Sequence, residues 1–243
     1  MLSKLLYRRA LRWQSAASSE TGPNKPLNED CVLLNDTVEL AIVCDGVGGH
    51  GNGDLASQLA CKYLGDACSQ QKPRDGEQLR QLIRQCHQHL LDHMQRSPDT
   101  AGMATTVVLA LKTGNKIWMT WAGDSRAYLL RKGNLSQLTD DHSFVNEKVT
   151  QGILSREEAE HHPMAHLITS SLGGGINSLK RIGTRNLAIK PKDRLILCTD
   201  GVHAYMSEKA FEQAASQSAQ TLVQQAIDNN TGDNCSAICI DML

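Results

Sequence analysis

The sequence predicts an α+β fold, and three observations predict it. Apolar runs bounded by turn residues recur along the chain, and several are joined by very short links such as Thr113-Gly114-Asn115 and Lys132-Gly133-Asn134. Links of that length join antiparallel neighbours. Helical periodicity comes in blocks rather than after every strand, which argues against a doubly wound parallel sheet. Two of the apolar runs, Leu40 to Cys44 and Arg194 to Cys198, are nearly unbroken and then stop at an acid followed by glycine. Such runs mark buried strands whose ends carry carboxylates to the rim of a sheet.

In chain order, residues 11–17 are expected to form an edge strand. Residues 18–27 hold Gly22, Pro23 and Pro26 and read as irregular. Cys31 to Leu34 and Val38 to Cys44 are strands around a turn at Asn35-Asp36. Residues 54–68 suit a helix. Residues 75–95 suit a stronger one, since Leu79, Leu82, Ile83, Cys86, Leu90 and Met94 keep the 3.6 period. Thr105 to Leu111 pairs with Lys116 to Trp121, and Ala127 to Leu130 with Leu135 to Leu138. Residues 143–163 are polar and partly helical, with Ser155-Arg156-Glu157-Glu158 matching a capping box. Leu187 to Ile189 and Arg194 to Cys198 flank Pro191-Lys192-Asp193 as strands. Residues 207–229 read as helical, and Ser236 to Ile240 as a last strand. No internal repeat or linker divides the 243 residues, so a single domain over 1–243 is expected.

Composition narrows the function. A net charge of -1 lacks the basic excess of a nucleic-acid-binding protein. No apolar stretch is long enough to span a bilayer. Lys4, Arg8, Arg9 and Arg12 make residues 1–12 a basic extension without the apolar core of a signal peptide. Of eight cysteines, most lie inside apolar runs and none forms Cys-x-x-Cys. That pattern implies reduced, buried thiols in the cytoplasm and speaks against a zinc site.

The chemistry-bearing feature is a set of five acidic corners beside apolar runs: Asn28-Glu29-Asp30, Asp45-Gly46, Gly123-Asp124, Asp200-Gly201 and Gly232-Asp233. One Asp next to a glycine is ordinarily a turn residue. Five at strand ends would repel one another, raising their pKa values, unless cations intervene. Hard divalent ions such as Mg²⁺ or Mn²⁺ prefer oxygen ligands. Two of them can activate a water and clamp a phosphoryl group.

Those corners belong to an ordered set: Asn28-Glu29-Asp30, Cys44-Asp45-Gly46-Val47-Gly48-Gly49-His50, Ala104-Thr105-Thr106, Ala122-Gly123-Asp124-Ser125-Arg126, Leu172-Gly173, Cys198-Thr199-Asp200-Gly201 and Gly232-Asp233-Asn234. From about Trp13 to its C-terminus the chain resembles the metal-dependent serine/threonine protein phosphatases of type 2C, the PPM family, in their compact bacterial form. The resemblance implies a four-layer α-β-β-α sandwich of two antiparallel sheets flanked by helices. It implies two Mn²⁺ or Mg²⁺ ions at one end of the sandwich. By motif position, Asp45 bridges both, Glu29 and the Gly46 carbonyl serve one, and Asp200 and Asp233 hold the other. Asp124 falls at a third, weaker metal site. Asp30 and Asn234 support the ligands, Ser125 steadies its corner, and residues 142–167 match a variable flap. The implied activity is hydrolysis of phosphoserine and phosphothreonine in proteins by direct attack of a metal-bridging hydroxide. The implied substrates are phosphorylated proteins made by a bacterial serine/threonine kinase.

Two departures from the family pattern matter. The family's phosphate-gripping Arg, three residues before Asn-Glu-Asp, is here Lys25, which keeps the charge and loses the bidentate fork. Animal relatives place His directly after Asp-Gly, where this chain has Val47. His50 is then the candidate general acid.

Rival readings attach to other residues. Gly46, Gly48 and Gly51 satisfy the G-x-G-x-x-G of a nucleotide-binding oxidoreductase, but no parallel βαβ unit follows. Cys68 and Arg74 have the C-x5-R spacing of cysteine phosphatases without a glycine to shape the loop. His87, His89 and His93 share a helix with no third metal ligand and are expected on its solvated face. His161 and His162 are expected to be solvated as well. The non-enzyme alternative is a catalytically weak phosphoprotein-binding module on the same fold, for which Lys25 is the one supporting feature.

Overall fold

Strand pairing divides the molecule into two antiparallel sheets. The computed structural model describes residues 11–47 and 52–243. One sheet runs β1 (Trp13–Glu20), β12 (Cys235–Met242), β11 (Arg194–Cys198), β7 (Arg126–Arg131), β8 (Asn134–Gln137). The other runs β10 (Gly183–Ala188), β6 (Lys116–Ala122), β5 (Val107–Thr113), β3 (Leu40–Val47), β4 (Ala104–Thr105), β9 (Leu172–Gly173), with β2 (Asp30–Asn35) also paired to β3.

The unbroken apolar runs are explained by the layers they separate. Alternate residues of one strand serve two different cores. Ala41, Val43, Val108, Ala110, Leu195, Leu197, Ile238 and Ile240 fill the space between the sheets. Leu40, Ile42, Cys44, Leu109 and Leu111 face the other way, onto α1 (Gly53–Gln70) and α2 (Gly76–Arg96) through Leu64, Leu79, Ile83 and Leu90. On the far side, Ile196, Cys198, Ala237 and Cys239 meet Phe211 of α6 (Glu208–Ala215) and Leu222 and Val223 of α7 (Ala219–Asp228). The result is the expected α-β-β-α sandwich. Each fully buried Leu, Ile or Val contributes roughly 1.5–3 kcal/mol.

Turn chemistry sets the registers. Thr113 pairs with Lys116 across Gly114-Asn115, and Arg131 with Asn134 across Lys132-Gly133. Lys132 and Gly133 both have positive φ, +55° and +80°, as a two-residue hairpin loop of the primed kind requires.

Three expectations are corrected. The first strand is Trp13–Glu20 rather than 11–17, although it does lie at a sheet edge. The strand near residue 187 is Gly183–Ala188, and it does not pair with β11. It pairs with β6, so Pro191-Lys192-Asp193 crosses between sheets. The crossing is fixed by Asp193, which is buried, accepts from the Lys190 N–H at 2.7 Å and is forked by Arg131 of β7. The helical span 207–229 is two helices. Ser218 breaks it by capping α7, its Oγ accepting the Thr221 N–H at 3.0 Å. Arg194 donates to the Ala215 and Gln217 carbonyls left open there.

Between β8 and β9 the chain forms α3 (Phe144–Thr150) and α4 (Arg156–Glu160). The expected capping box of Ser155 and Glu158 is present.

Candidate metal centre

The antiparallel order brings the start of β2, the ends of β3, β6 and β11 and the start of β12 to one end of the sandwich. Every acidic corner lies there. Asp30 opens β2 directly opposite Asp45 of β3. Asp124 follows β6. Asp200 starts α5 (Asp200–His203) immediately beyond β11. Asp233 precedes β12. Asp45 shares strand parity with Ala41 and Val43, so its carboxylate belongs to the inter-sheet face, where the apolar filling stops.

The backbone is shaped around these acids. At the Asp45–Thr106 rung the β3 ladder opens. Thr106 N–H donates to the Asp45 carbonyl at 2.8 Å, but Asp45 N–H goes to the Thr106 hydroxyl at 3.1 Å instead of a carbonyl. Thr105 Oγ1 also donates to the Asp45 carbonyl, and Ser125 Oγ holds Thr106 Oγ1 at 2.7 Å. Gly46 must be glycine because a Cβ there would fall 2.2 Å from the Gly53 carbonyl oxygen. Gly201 is pressed as closely, with Asn234 O 2.0 Å from its ideal Cβ position. These contacts seat α1 and α5 against the site.

The electrostatics are those of crowded carboxylates. Burial, then the charges of Asp30, Asp200, Asp124 and Asp233, hold the Asp45 pKa well above the usual range. Asp30 is pushed up to about 7 by burial against the hydrogen bonds of Ser236 and Thr199. The Thr199 hydroxyl donates to its Oδ2 at 3.0 Å. Asp124 is pushed up to about 8 by burial and by the charge of Asp200. Asp200 is raised by burial and by the charge of Asp233, countered by a hydrogen bond with Asp45, by the Gly201 backbone and, least, by His166 of the 142–167 segment. Its Oδ1 is buried with no hydrogen-bond partner. An orphaned carboxylate oxygen among repelling acids is a donor suited to a hard divalent ion. Among the described residues no three acidic, histidine or cysteine side chains converge as a ready-made cage. Asp30 is held by the Thr199 hydroxyl and Asp233 by Lys25 and the Asn234 N–H, while Asp45 and Asp200 face one another closely enough to share a hydrogen bond.

The other sequence candidates are placed as follows. Lys25 Nζ lies 2.7 Å from Asp233 Oδ1. Glu29 stands beside Gly53, and its N–H donates to Asn234 Oδ1 at 3.0 Å. Asn234 Nδ2 reaches the Leu27 carbonyl, so Asn234 stitches two corners together. His50 lies outside the described residues, as do Gly48, Gly49 and Gly51. All eight cysteines are free, and all but Cys31 are buried. His87 is a correction. It is buried rather than solvated, and its Nδ1 accepts the Gly173 N–H of β9 at 3.2 Å.

Several supporting residues have no distinct signal in the sequence. His142 accepts the Gly123 N–H on Nδ1 at 3.3 Å, and its own N–H donates to the Gly123 carbonyl, tying residue 142 to the Asp124 corner. Burial, with Arg181 nearby, pushes the His142 pKa down to about 4. His203 Nε2 lies 3.2 Å from the Asp124 carbonyl, and its pKa is held well below normal by burial. Arg126 forks Asp141 behind the same corner. Thr105, Thr106, Ser125, Arg126 and Thr199 lie within motifs that the sequence singles out, whereas His142 and His203 lie in none of them.

A protein phosphatase 2C family model matches residues 24–231, and the chain belongs to that family. It is 32% identical over 236 residues to the serine/threonine protein phosphatase PstP of Mycobacterium tuberculosis, a match covering 94% of this chain and 45% of that protein. The chain thus spans about half the length of that relative. The serine/threonine phosphatase stp of Listeria welshimeri is 30% identical over 217 residues, 85% of each chain. Among solved structures, the catalytic domain of PstP in complex with two manganese ions superposes with a TM-score of 0.82 at 30% identity, covering 96% of this chain and 99% of that one. No helix among the described residues is long and apolar enough to cross a membrane.

Proposed function

We propose that this chain is a metal-dependent phosphatase acting on phosphoserine and phosphothreonine in proteins. The observation that carries the reading is the gathering of Asp30, Asp45, Asp124, Asp200 and Asp233 at one end of the sandwich, Asp30 buried and the others half-buried, the first four raised by loss of solvent and then by one another's charge. The PstP structure with two manganese ions supports the same assignment. In this reading Asp45 serves two Mn²⁺ or Mg²⁺ ions. Glu29 and the Gly46 carbonyl complete one site, and Asp200 and Asp233 the other. Asp124 serves a third, weaker site. When bound, the ions supply an activated water and the positive charge that a phosphoryl group needs for in-line displacement.

The chain's own residues do the rest. Asp30 and Asn234 hold the ligand-bearing corners, the former through Thr199 and the latter through Glu29 and Leu27. Lys25 places an ammonium at the rim for the substrate phosphate, a point charge rather than a fork. His50 protonates the leaving oxygen. The chain from 1 to 243 works as one phosphatase domain with a basic extension over 1–12. Residues 142–167 act as the flap, anchored through His142 and bringing His166 toward Asp200. Its substrates are products of a serine/threonine kinase, and eight free thiols fit the cytoplasm.

The test is phosphate release from a phosphothreonine peptide with Mn²⁺, with Mg²⁺ and with EDTA. Metal-dependent release that EDTA abolishes is expected. Binding of the peptide without release under any metal would instead identify a phosphoprotein-binding module.

A further inference from the structure

We infer that Lys25 is a built-in counter-ion for Asp233, whose ammonium holds the carboxylate until a divalent ion takes its place, so that loading that site and freeing Lys25 for phosphate are one exchange. The inference rests on the phosphatase reading above and adds an order of events to it.

Both ends of the pair are fixed by backbone. Gly22 abuts the Asp233 peptide so closely that a Cβ would lie 2.2 Å from the Asp233 carbonyl oxygen. Lys25 N–H closes a turn onto the Gly22 carbonyl at 3.0 Å. Pro26 then restricts Lys25 to extended backbone. Beyond it, Asn234 donates to the Leu27 carbonyl at 3.1 Å and accepts the Glu29 N–H at 3.0 Å. The segment from Gly22 to Glu29 is therefore laced to the Asp233-Asn234 corner, and the ammonium cannot drift from the carboxylate by loop motion alone.

The pair itself is weak. Its side chains remain 31% and 37% exposed, whereas Asp193 in the structural pair with Arg131 is only 3% exposed. A solvent-reached single-point ion pair costs little to open. Asp233 Oδ1 also accepts the Asn234 N–H at 2.8 Å, so the carboxylate keeps its orientation after Lys25 leaves. Glu29 and Asp45 also contribute to the field on the ammonium. A released Lys25 therefore stays beside the site.

The experiment is calorimetric titration of Mn²⁺ into the wild type, Lys25→Met, Lys25→Arg, Asp233→Asn and the Lys25→Met/Asp233→Asn double variant. Lys25→Met should bind Mn²⁺ about three- to tenfold tighter, Lys25→Arg should stay within about twofold of the wild type, and Lys25→Met should gain nothing in the Asp233→Asn background. Equal affinity in wild type and Lys25→Met overturns the exchange. So does an equal gain with and without Asp233, which would reduce Lys25 to a general positive charge. Phosphothreonine-peptide hydrolysis is measured on the same samples. Hydrolysis with equal affinities sinks the exchange alone, and the predicted affinities without hydrolysis sink the phosphatase reading alone. No Mn²⁺ binding by any variant sinks both.

Discussion

Thr106 shows how much of this site is held by residues that never face a ligand. Its hydroxyl replaces a ladder carbonyl as partner of the Asp45 N–H and shares a hydrogen bond with Ser125, in fully buried surroundings. Thr106→Val keeps the shape and removes the hydroxyl, leaving the Asp45 N–H and the buried Ser125 hydroxyl without this partner. The expected cost is about 1–3 kcal/mol, since an unmade buried hydrogen bond incurs its full desolvation penalty. Denaturant unfolding of the metal-free protein should show it as a lower midpoint at unchanged slope. Wild-type stability in Thr106→Val would mean that the Asp45 rung is held by its backbone bonds alone.

At the scale of elements, most of the architecture was legible because its signals are local. Apolar runs ending on acids gave β3 and β11, and paired turns gave β5 to β8. The resemblance of ordered motifs supplied the sandwich and the residues of the proposed centre. What escaped depends on distant partners. Nothing near residue 187 says that β10 will join β6, because that choice is made by Asp193 finding Arg131 of β7. The two-residue strands β4 and β9 are too short to carry a period, and they exist through pairing near Gly46. Ser218 was visible as a residue but not as a cap, since the helical period continues across it. His87 lies on a helix whose polar residues suggest solvent, yet the β9 backbone covers it. The support given by His142 and His203 to the Asp124 corner is equally non-local.

For the whole molecule, the crowded acids make stability depend on pH and metal together. Asp30 and Asp124 titrate near 7 and 8 in the folded state, above any unfolded carboxylate. Raised carboxyl pKa values stabilise the fold when protonated, and that stability is lost as pH rises through the folded values. Buried histidines act at the opposite end. His87, His142 and His203 have lowered pKa values, so their contribution is lost as pH falls below about 6.5. Between pH 6.5 and 8.5 the unfolded histidines, half charged at the lower limit, finish losing their protons, a gain of about 0.4 kcal/mol each, while the acids contribute the larger and opposite slope. In EDTA the unfolding free energy should therefore show a net fall of about 1–2 kcal/mol across that window. Saturating Mn²⁺ should flatten the fall by neutralising the acids. A metal-free protein whose stability is level or rising from pH 6.5 to 8.5 would contradict the shared-charge picture.

The central claim is that these corners form one metal centre. The most direct measurement is the number of Mn²⁺ ions that the protein binds tightly, by calorimetry or by metal analysis after desalting, in the wild type and in Asp200→Asn. Two ions per wild-type chain, with one lost in a still-folded Asp200→Asn, is the predicted result. No tightly bound ion in the wild type, or the same number in both proteins, would contradict it.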